Sequence, residues 1–251
     1  MTTFRMRARV AALAALSTIA CLAPAVAAQF SVSITRLHLG AGHPIETVVL
    51  SNQEARDVAF EVRALRWTQK ADGTWDLAPT QDLVITPLIV KMPADGEARV
   101  RIATLSPSVA GEQAYRVELQ ELPDSPNAPA GAVRMLTTVS LPVFVQPANA
   151  EARMELSVDA IDAKHASLLL HNVGTAYAPP DNAVVRVLDA SGRALHEGKL
   201  DTNYVLAGAR LPVQATIPAA ACSRAATVEL TLGKAAPIAA TVSPAQRRCA
   251  P

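Results

Sequence analysis

"VRMLTTVSLPVFVQP", residues 133 to 147, carries Val133, Met135, Thr137, Val139, Leu141, Val143 and Val145 at every second position. In an extended chain these side chains form one row on one face of a strand, and the row is mostly apolar. Pro142 interrupts the run. A proline cannot donate to a sheet ladder and is confined to edge strands, strand starts and bulges. The stretch therefore reads as a long apolar strand with an open side, and natural proteins normally blunt such edges.

Outward from this strand, the rest of the chain is of the same kind. "FSVSITRLHL", "IETVVLSN", "DVAFEVRALRW", "DLVITPLIVKM", "EARVRIATL" and "EQAYRVELQEL" precede it, which makes seven strand candidates before residue 147. "MELSVDAID", "HASLLLHNVG", "AVVRVLDASG", "ALHEGKL", "ARLPVQATI", "ATVELTLG" and "IAATVS" follow it. No segment shows a capped 3.6-residue period. The expected fold class is all-β, with two immunoglobulin-like β-sandwich domains. Residues 29–147 form the first and 148–251 the second, with a hinge around 148–151 and a long loop at "DSPNAPAGA", residues 124–132.

Residues 1–28 have the form of a secretory signal: Arg5, Arg7 and Arg9, an uncharged apolar run, and the small-residue stretch "AVAA". A retained anchor and a lipidated Cys21 compete with that reading. Pro24 shortens the apolar run against the first, and Thr18 stands where a lipoprotein signal carries Leu against the second. Cleavage removes three of the 23 basic residues and none of the 22 acidic ones, leaving a slightly acidic chain with no footprint for nucleic acid. The two cysteines that remain, Cys222 and Cys249, are an even pair in an exported chain, and a disulfide is expected.

Chemistry is scarce. The five histidines show no metal spacing, and there is no G-x-S-x-G, phosphate loop or close carboxylate pair, so neither an enzyme nor a cofactor is expected. Arg36, in the first strand, and Arg116, in "EQAYRVELQELP", are the two polar residues singled out. Each reads either as a surface side chain over the sheet or as a fork that grips a carboxylate with two hydrogen bonds.

"VSITRLHLGAG", "TVVLSN", "ITPLIVKMPADGEARVRI", "EQAYRVELQELP" and "SLPVFVQP" occur in an order that resembles the periplasmic pilus chaperones of the chaperone-usher pathway, over residues 30 to 147. The resemblance implies two immunoglobulin-like domains in a boomerang, with residues 133–147 as the exposed last strand of the first. It further implies donor-strand complementation, in which that edge fills the groove of a pilin subunit lacking a strand. Matched through the "F-x-x-P" end of the motif, the donor side chains are Val133, Met135 and Thr137, with Val139 a fourth candidate.

Most members of the family anchor the subunit's C-terminal carboxylate with an arginine of the first strand, here Arg36, and a lysine on the last. Pro142 stands at the lysine position. The "LPVFV" ending and the "QAYR" arginine resemble the archaic branch, which ranks Arg116 above Arg36 as the anchor. The implied partners are pilin subunits and an outer-membrane usher in the periplasm, without stable membrane insertion. Self-capping of the free edge in a homo-oligomer stays open. A secreted two-domain adhesin or ligand-binding module is the alternative, in which the apolar strand is ordinary core.

Overall fold

The computed structural model of the chain describes residues 30–123, 135–180 and 182–249. The expected signal segment 1–28, the loop 124–132 and the donor candidate Val133 lie outside them.

The first half folds as two facing sheets. One contains β1 (Phe30–Val32), β3 (Ile45–Asn52), β8 (Glu97–Thr104) and β6 (Leu83–Thr86), in the order β1-β3-β8-β6. The other has the order β2-β10-β9-β4-β5, from β2 (Leu37–Leu39), β10 (Thr138–Val145), β9 (Gln113–Glu121), β4 (Val58–Gln69) and β5 (Trp75–Pro79), with β7 (Ile89–Met92) also on β4. Alternation turns Val48, Leu50, Val100 and Ile102 of the first sheet towards Phe60, Val62, Val117, Leu119 and Val143 of the second, forming one buried core. At ~1.5–3 kcal/mol per fully buried large apolar side chain, this core dominates the domain's stability.

The second half repeats the architecture. Strands β11 (Met154–Asp162), β12 (His165–Asn172), β15 (Arg210–Thr216) and β18 (Arg247–Arg248) form one sheet, and β13 (Val184–Leu188), β14 (Ala194–Lys199), β16 (Thr227–Thr231) and β17 (Ile238–Thr241) the other. Their core includes Ile161, Leu168, Leu170, Val187 and Leu230. The short helix α1 (Ala219–Cys222) brings Cys222 to Cys249, and the two form a disulfide across a sequence separation of 27 residues. Closing a loop of this length contributes about 3–4 kcal/mol in the chain-entropy account.

Two strand candidates of the first half are each divided in two. The run 30–39 breaks after Val32, where Ser33 Oγ accepts the Val49 N–H at 2.9 Å, and the chain crosses from one sheet to the other to pair β2 with β10. The run 82–92 breaks at the Thr86–Pro87 peptide, which is cis, with β6 in one sheet and β7 in the other. Pro87 has no N–H to continue a ladder. Strand β5 was not among the candidates. Its hairpin with β4 closes through Gly73, at φ +81°, and a Cβ there would lie 2.5 Å from Leu211 Cδ1 of the second half. Glycine suits both the left-handed turn and the close approach.

β10 occupies the decisive place. Along its full length, Thr138 to Val145, it pairs antiparallel with β9. On its other side β2 pairs only with Val143, Phe144 and Val145. Residues 138–142 thus have a ladder partner on one side only among the described residues.

Candidate functional site

The outer face of the β2-β10-β9-β4-β5 sheet points at the second half of the chain, and the seam is aromatic. The chain has four Phe, two Trp and three Tyr; of these, Trp67, Trp75, Phe144, Tyr177 and Tyr204 gather here. Phe144 stacks on Tyr177 with ring centroids 3.6 Å apart, and Trp67 meets Trp75 at 4.8 Å and Tyr204 at 5.3 Å, edge to face. Such pairs add about 0.5–1.5 kcal/mol each beyond the area they bury. The Gln69 amide closes the seam like a short piece of strand: its Nε2 donates to Tyr204 O at 2.6 Å and its Oε1 accepts the Leu206 N–H at 2.7 Å. Glu112 accepts from Gln146 Nε2 at 2.6 Å and from the Tyr177 N–H at 3.0 Å, and burial raises its pKa.

Arg116 lies in this seam. It sits on β9 directly between Pro142 of β10 and Leu65 of β4, on the outer face, and is 8% exposed. Its guanidinium stands 4.8 Å from the Trp67 ring centre and 4.5 Å from that of Trp75. Cation–π attraction to two indoles offsets part of the cost of burying the charge. Burial pushes its pKa below the ordinary arginine value, with Tyr204 and Glu118 acting in the opposite direction, but arginine remains a cation at any physiological pH. Its Nε is buried with no hydrogen-bond partner, and among the described residues no carboxylate pairs with it. The surface reading of Arg116 is therefore incorrect, because the tryptophans of the β4–β5 hairpin cover it.

Arg36 reaches the same seam differently. Its Nε and Nη2 donate to the Tyr204 hydroxyl at 3.1 and 3.0 Å, and its guanidinium lies 5.3 Å from the Tyr204 ring centre and 5.6 Å from that of Tyr177. His38 follows, with Nε2 2.9 Å from the Tyr177 hydroxyl, and its pKa is lowered by burial and then by Arg36. The fold thus brings both arginines to Tyr204, one by hydrogen bonds and the other beneath an indole that Tyr204 touches. Arg36 is already spent on tyrosine hydroxyls, whereas Arg116 keeps a donor unmet.

The donor candidates separate along the strand. Met135 is 88% exposed and the neighbouring Leu136 46% exposed. Thr137 is half-buried, and Val139 packs against the first domain's own core. Leu141, Val143 and Val145, at 4%, 0% and 0% exposure, are that core. The odd-numbered row is therefore not one uniform surface, because it enters the sandwich between Val139 and Leu141.

Sequence reasoning missed Trp75, Tyr177, Tyr204, Gln69 and Glu112. For the three aromatic residues scarcity was the available signal: aromatics make up 4% of the chain, and five of the nine meet at one junction; Gln69 and Glu112 carried none. Among the described residues no group of three His, Cys, Asp or Glu is placed to hold a metal, and no helix is long and apolar enough to cross a membrane.

Residues 29–151 match the family described as pili and flagellar-assembly chaperone, PapD N-terminal domain. No curated protein matches the chain. Among solved structures, the class 5 fimbriae chaperone CfaA matches with a TM-score of 0.60 at 14% identity, over 86% of this chain and 100% of its own. A chain of the CsuC–CsuE chaperone–tip adhesion subunit pre-assembly complex, from archaic chaperone-usher Csu pili of Acinetobacter baumannii, matches with a TM-score of 0.59 at 20% identity, over 85% and 99%. A chain of the Salmonella enterica SafA pilin complex with the SafB chaperone gives 0.54 at 15%, over 86% and 98%. At these identities the structures speak for the shared two-domain β-sandwich fold, and the family match speaks for descent. Residues 29–151 are thus a PapD N-terminal domain of the pilus-chaperone family, in a chain that shares the two-domain fold of the solved chaperones.

Proposed function

We propose that the protein is a non-enzymatic periplasmic chaperone that lends the open end of β10 to pilin subunits lacking a strand and delivers them to an outer-membrane usher. The observation that carries this reading is the one-sided pairing of residues 138–142, continuous with the exposed Met135 and Leu136. An apolar segment with an unpaired ladder edge is what β-augmentation uses: main-chain bonds give affinity and alternate side chains give specificity. Two of the matched structures hold a tip subunit or a pilin beside a chaperone, and we carry that partnership to this chain. Residues 1–28 act as the export signal.

Within this reading Arg116 is the principal anchor for the subunit's terminal carboxylate. Its position beside Pro142, with Nε unpartnered between two indoles, supports that role. A carboxylate would supply the missing acceptor, and a charge-assisted pair held away from water is stronger than a neutral bond. Arg36 is the second anchor. An arginine beside a proline, in place of a lysine on the last strand, also supports the archaic branch. Val133, Met135, Thr137 and Val139 are the donors, with Val139 at the boundary of the domain's own core.

Periplasmic co-expression with a pilin subunit tests this. A soluble one-to-one complex is expected, retained in part by Arg116→Lys and lost in a folded Arg116→Ala. Failure of the unmodified protein to hold any pilin overturns the reading.

A further inference from the structure

The donor segment leaves the sheet at a buried carboxylate. On β9, Tyr115, Val117 and Leu119 line the core, and the next residue of that row, Glu121, is 2% exposed. Its backbone N–H donates to Thr137 O at 2.9 Å, and its Oε2 accepts the Thr137 N–H at 3.0 Å. Thr137 is thus held twice by one residue, immediately before the β10 ladder begins. The second carboxylate oxygen, Oε1, accepts Arg56 Nη2 at 3.0 Å, and Arg56 Nε lies 2.6 Å from Glu54 Oε2.

Arg56 is itself placed by a buried side chain. Asn52, 3% exposed, donates from Nδ2 to Arg56 O and to Pro93 O, each at 2.8 Å, and its Oδ1 accepts the Glu54 N–H at 3.0 Å. A connected set of polar contacts therefore runs from the end of β3, through the β3–β4 loop, to the amide of Thr137.

We propose that Glu121, oriented by Arg56, is a positioning residue that sets the register in which the donor segment is offered. This rests on the reading of β10 as a donor strand. The last bonds of a ladder fray, and among the described residues no strand pairs with residues 138–142 on the β2 side. A one-residue slip of this end would turn Met135 away from the subunit groove and present Leu136 instead. The carboxylate counters this with a charge-assisted bond to one particular amide. Because Glu121 is 2% exposed, that bond is made away from water, where a charge-assisted bond counts for more than at the surface.

Register can be read with thiols, since Cys222 and Cys249 are bonded to each other. Met135→Cys and Leu136→Cys are each placed in the otherwise unmodified protein, complexed with pilin and treated with a maleimide. The thiol at 135 is expected to react at least tenfold more slowly than the one at 136. In Glu121→Gln, which keeps the size but removes the charge shared with Arg56, the ratio should fall at least threefold, and in Glu121→Ala it should approach one. In the free protein, amide exchange at Thr137 should accelerate at least tenfold in both variants while Val117 and Leu119 stay unchanged.

If Glu121→Ala does not fold, Arg56→Gln, which leaves the carboxylate without its guanidinium, should show the same losses. An unchanged labelling ratio together with unchanged Thr137 exchange overturns the inference. If the unmodified protein captures no pilin, the chaperone reading fails instead, and Thr137 exchange in the free protein still decides whether Glu121 holds that amide.

Discussion

The two ends of β10 are built from similar residues and do opposite things. At the far end, Val143 and Val145 are fully buried and paired on both sides, by β9 and by β2. At the near end, Met135 and Leu136 are exposed, and, among the described residues, 138–142 pair with β9 alone. Composition does not distinguish them. The difference lies in the three-residue length of β2, which stops one residue short of Pro142. An apolar side chain becomes buried core or exposed edge according to where its neighbouring strand ends.

The contrast can be broken most severely at the closed end. Val143→Asp places an unpaired carboxylate at a site with no exposure, at a cost of several kcal/mol, comparable to the whole stability of a domain. No cooperative melting of the first domain is expected, and a folded variant with an unchanged Tm would show that the closed end is not core. Phe144→Ala comes next. It removes the ring stacked on Tyr177 and should cost about 3–5 kcal/mol, measured by urea unfolding, with both domains affected because the ring belongs to the seam.

A smaller effect follows from His38, which pairs with Phe144 across β2 and β10. Its folded pKa lies below the ordinary 6.5. The unfolded chain therefore takes up the proton first, so the stability contributed by neutral His38 is full above pH 6.5 and is lost as pH falls through the lower, folded value. With the ring half-exposed, the Tm should drop by only about 1–2 °C between pH 7.5 and 5, and His38→Asn should flatten that part of the profile. Smallest of all is Met135→Glu in the free protein, within about 0.5 kcal/mol of the unmodified chain as for other surface changes. The same variant should fail to co-purify with pilin. A large loss of Tm from Met135→Glu would erase the distinction between the two ends.

How much of this was legible follows from the range of each interaction. Period-two alternation is local, so most strands could be read from short runs, and Pro142 marked the open side before any pairing was known. Arg36 and Arg116 stood out through the resemblance to the chaperone family, since Arg63, Arg66, Arg99 and Arg101 also lie in apolar strand runs. The crossings at Ser33 and Pro87 were not legible, since an extended run looks the same whether it stays in one sheet or changes to another. β5 was hidden by "WDLAP", in which polar residues and a proline dilute the pattern. The seam was least visible. Trp67 and Tyr204 are separated by more than a hundred residues and meet only because two sandwiches are apposed. Nothing in the sequence sets Glu121 apart from other acidic residues, and only its burial beneath Thr137 gives it meaning.

The placement of Arg116 between Trp67 and Trp75 has an optical consequence. The chain contains two tryptophans in all, and both flank the proposed anchor. Indole emission depends on charge and solvent at the ring, so the tryptophan fluorescence of the unmodified protein comes from this site alone. Arrival of a carboxylate at the guanidinium should shift that emission without any attached dye, and the free terminus of a pilin could be followed as it docks, in real time, by the light of the two rings that hold its partner.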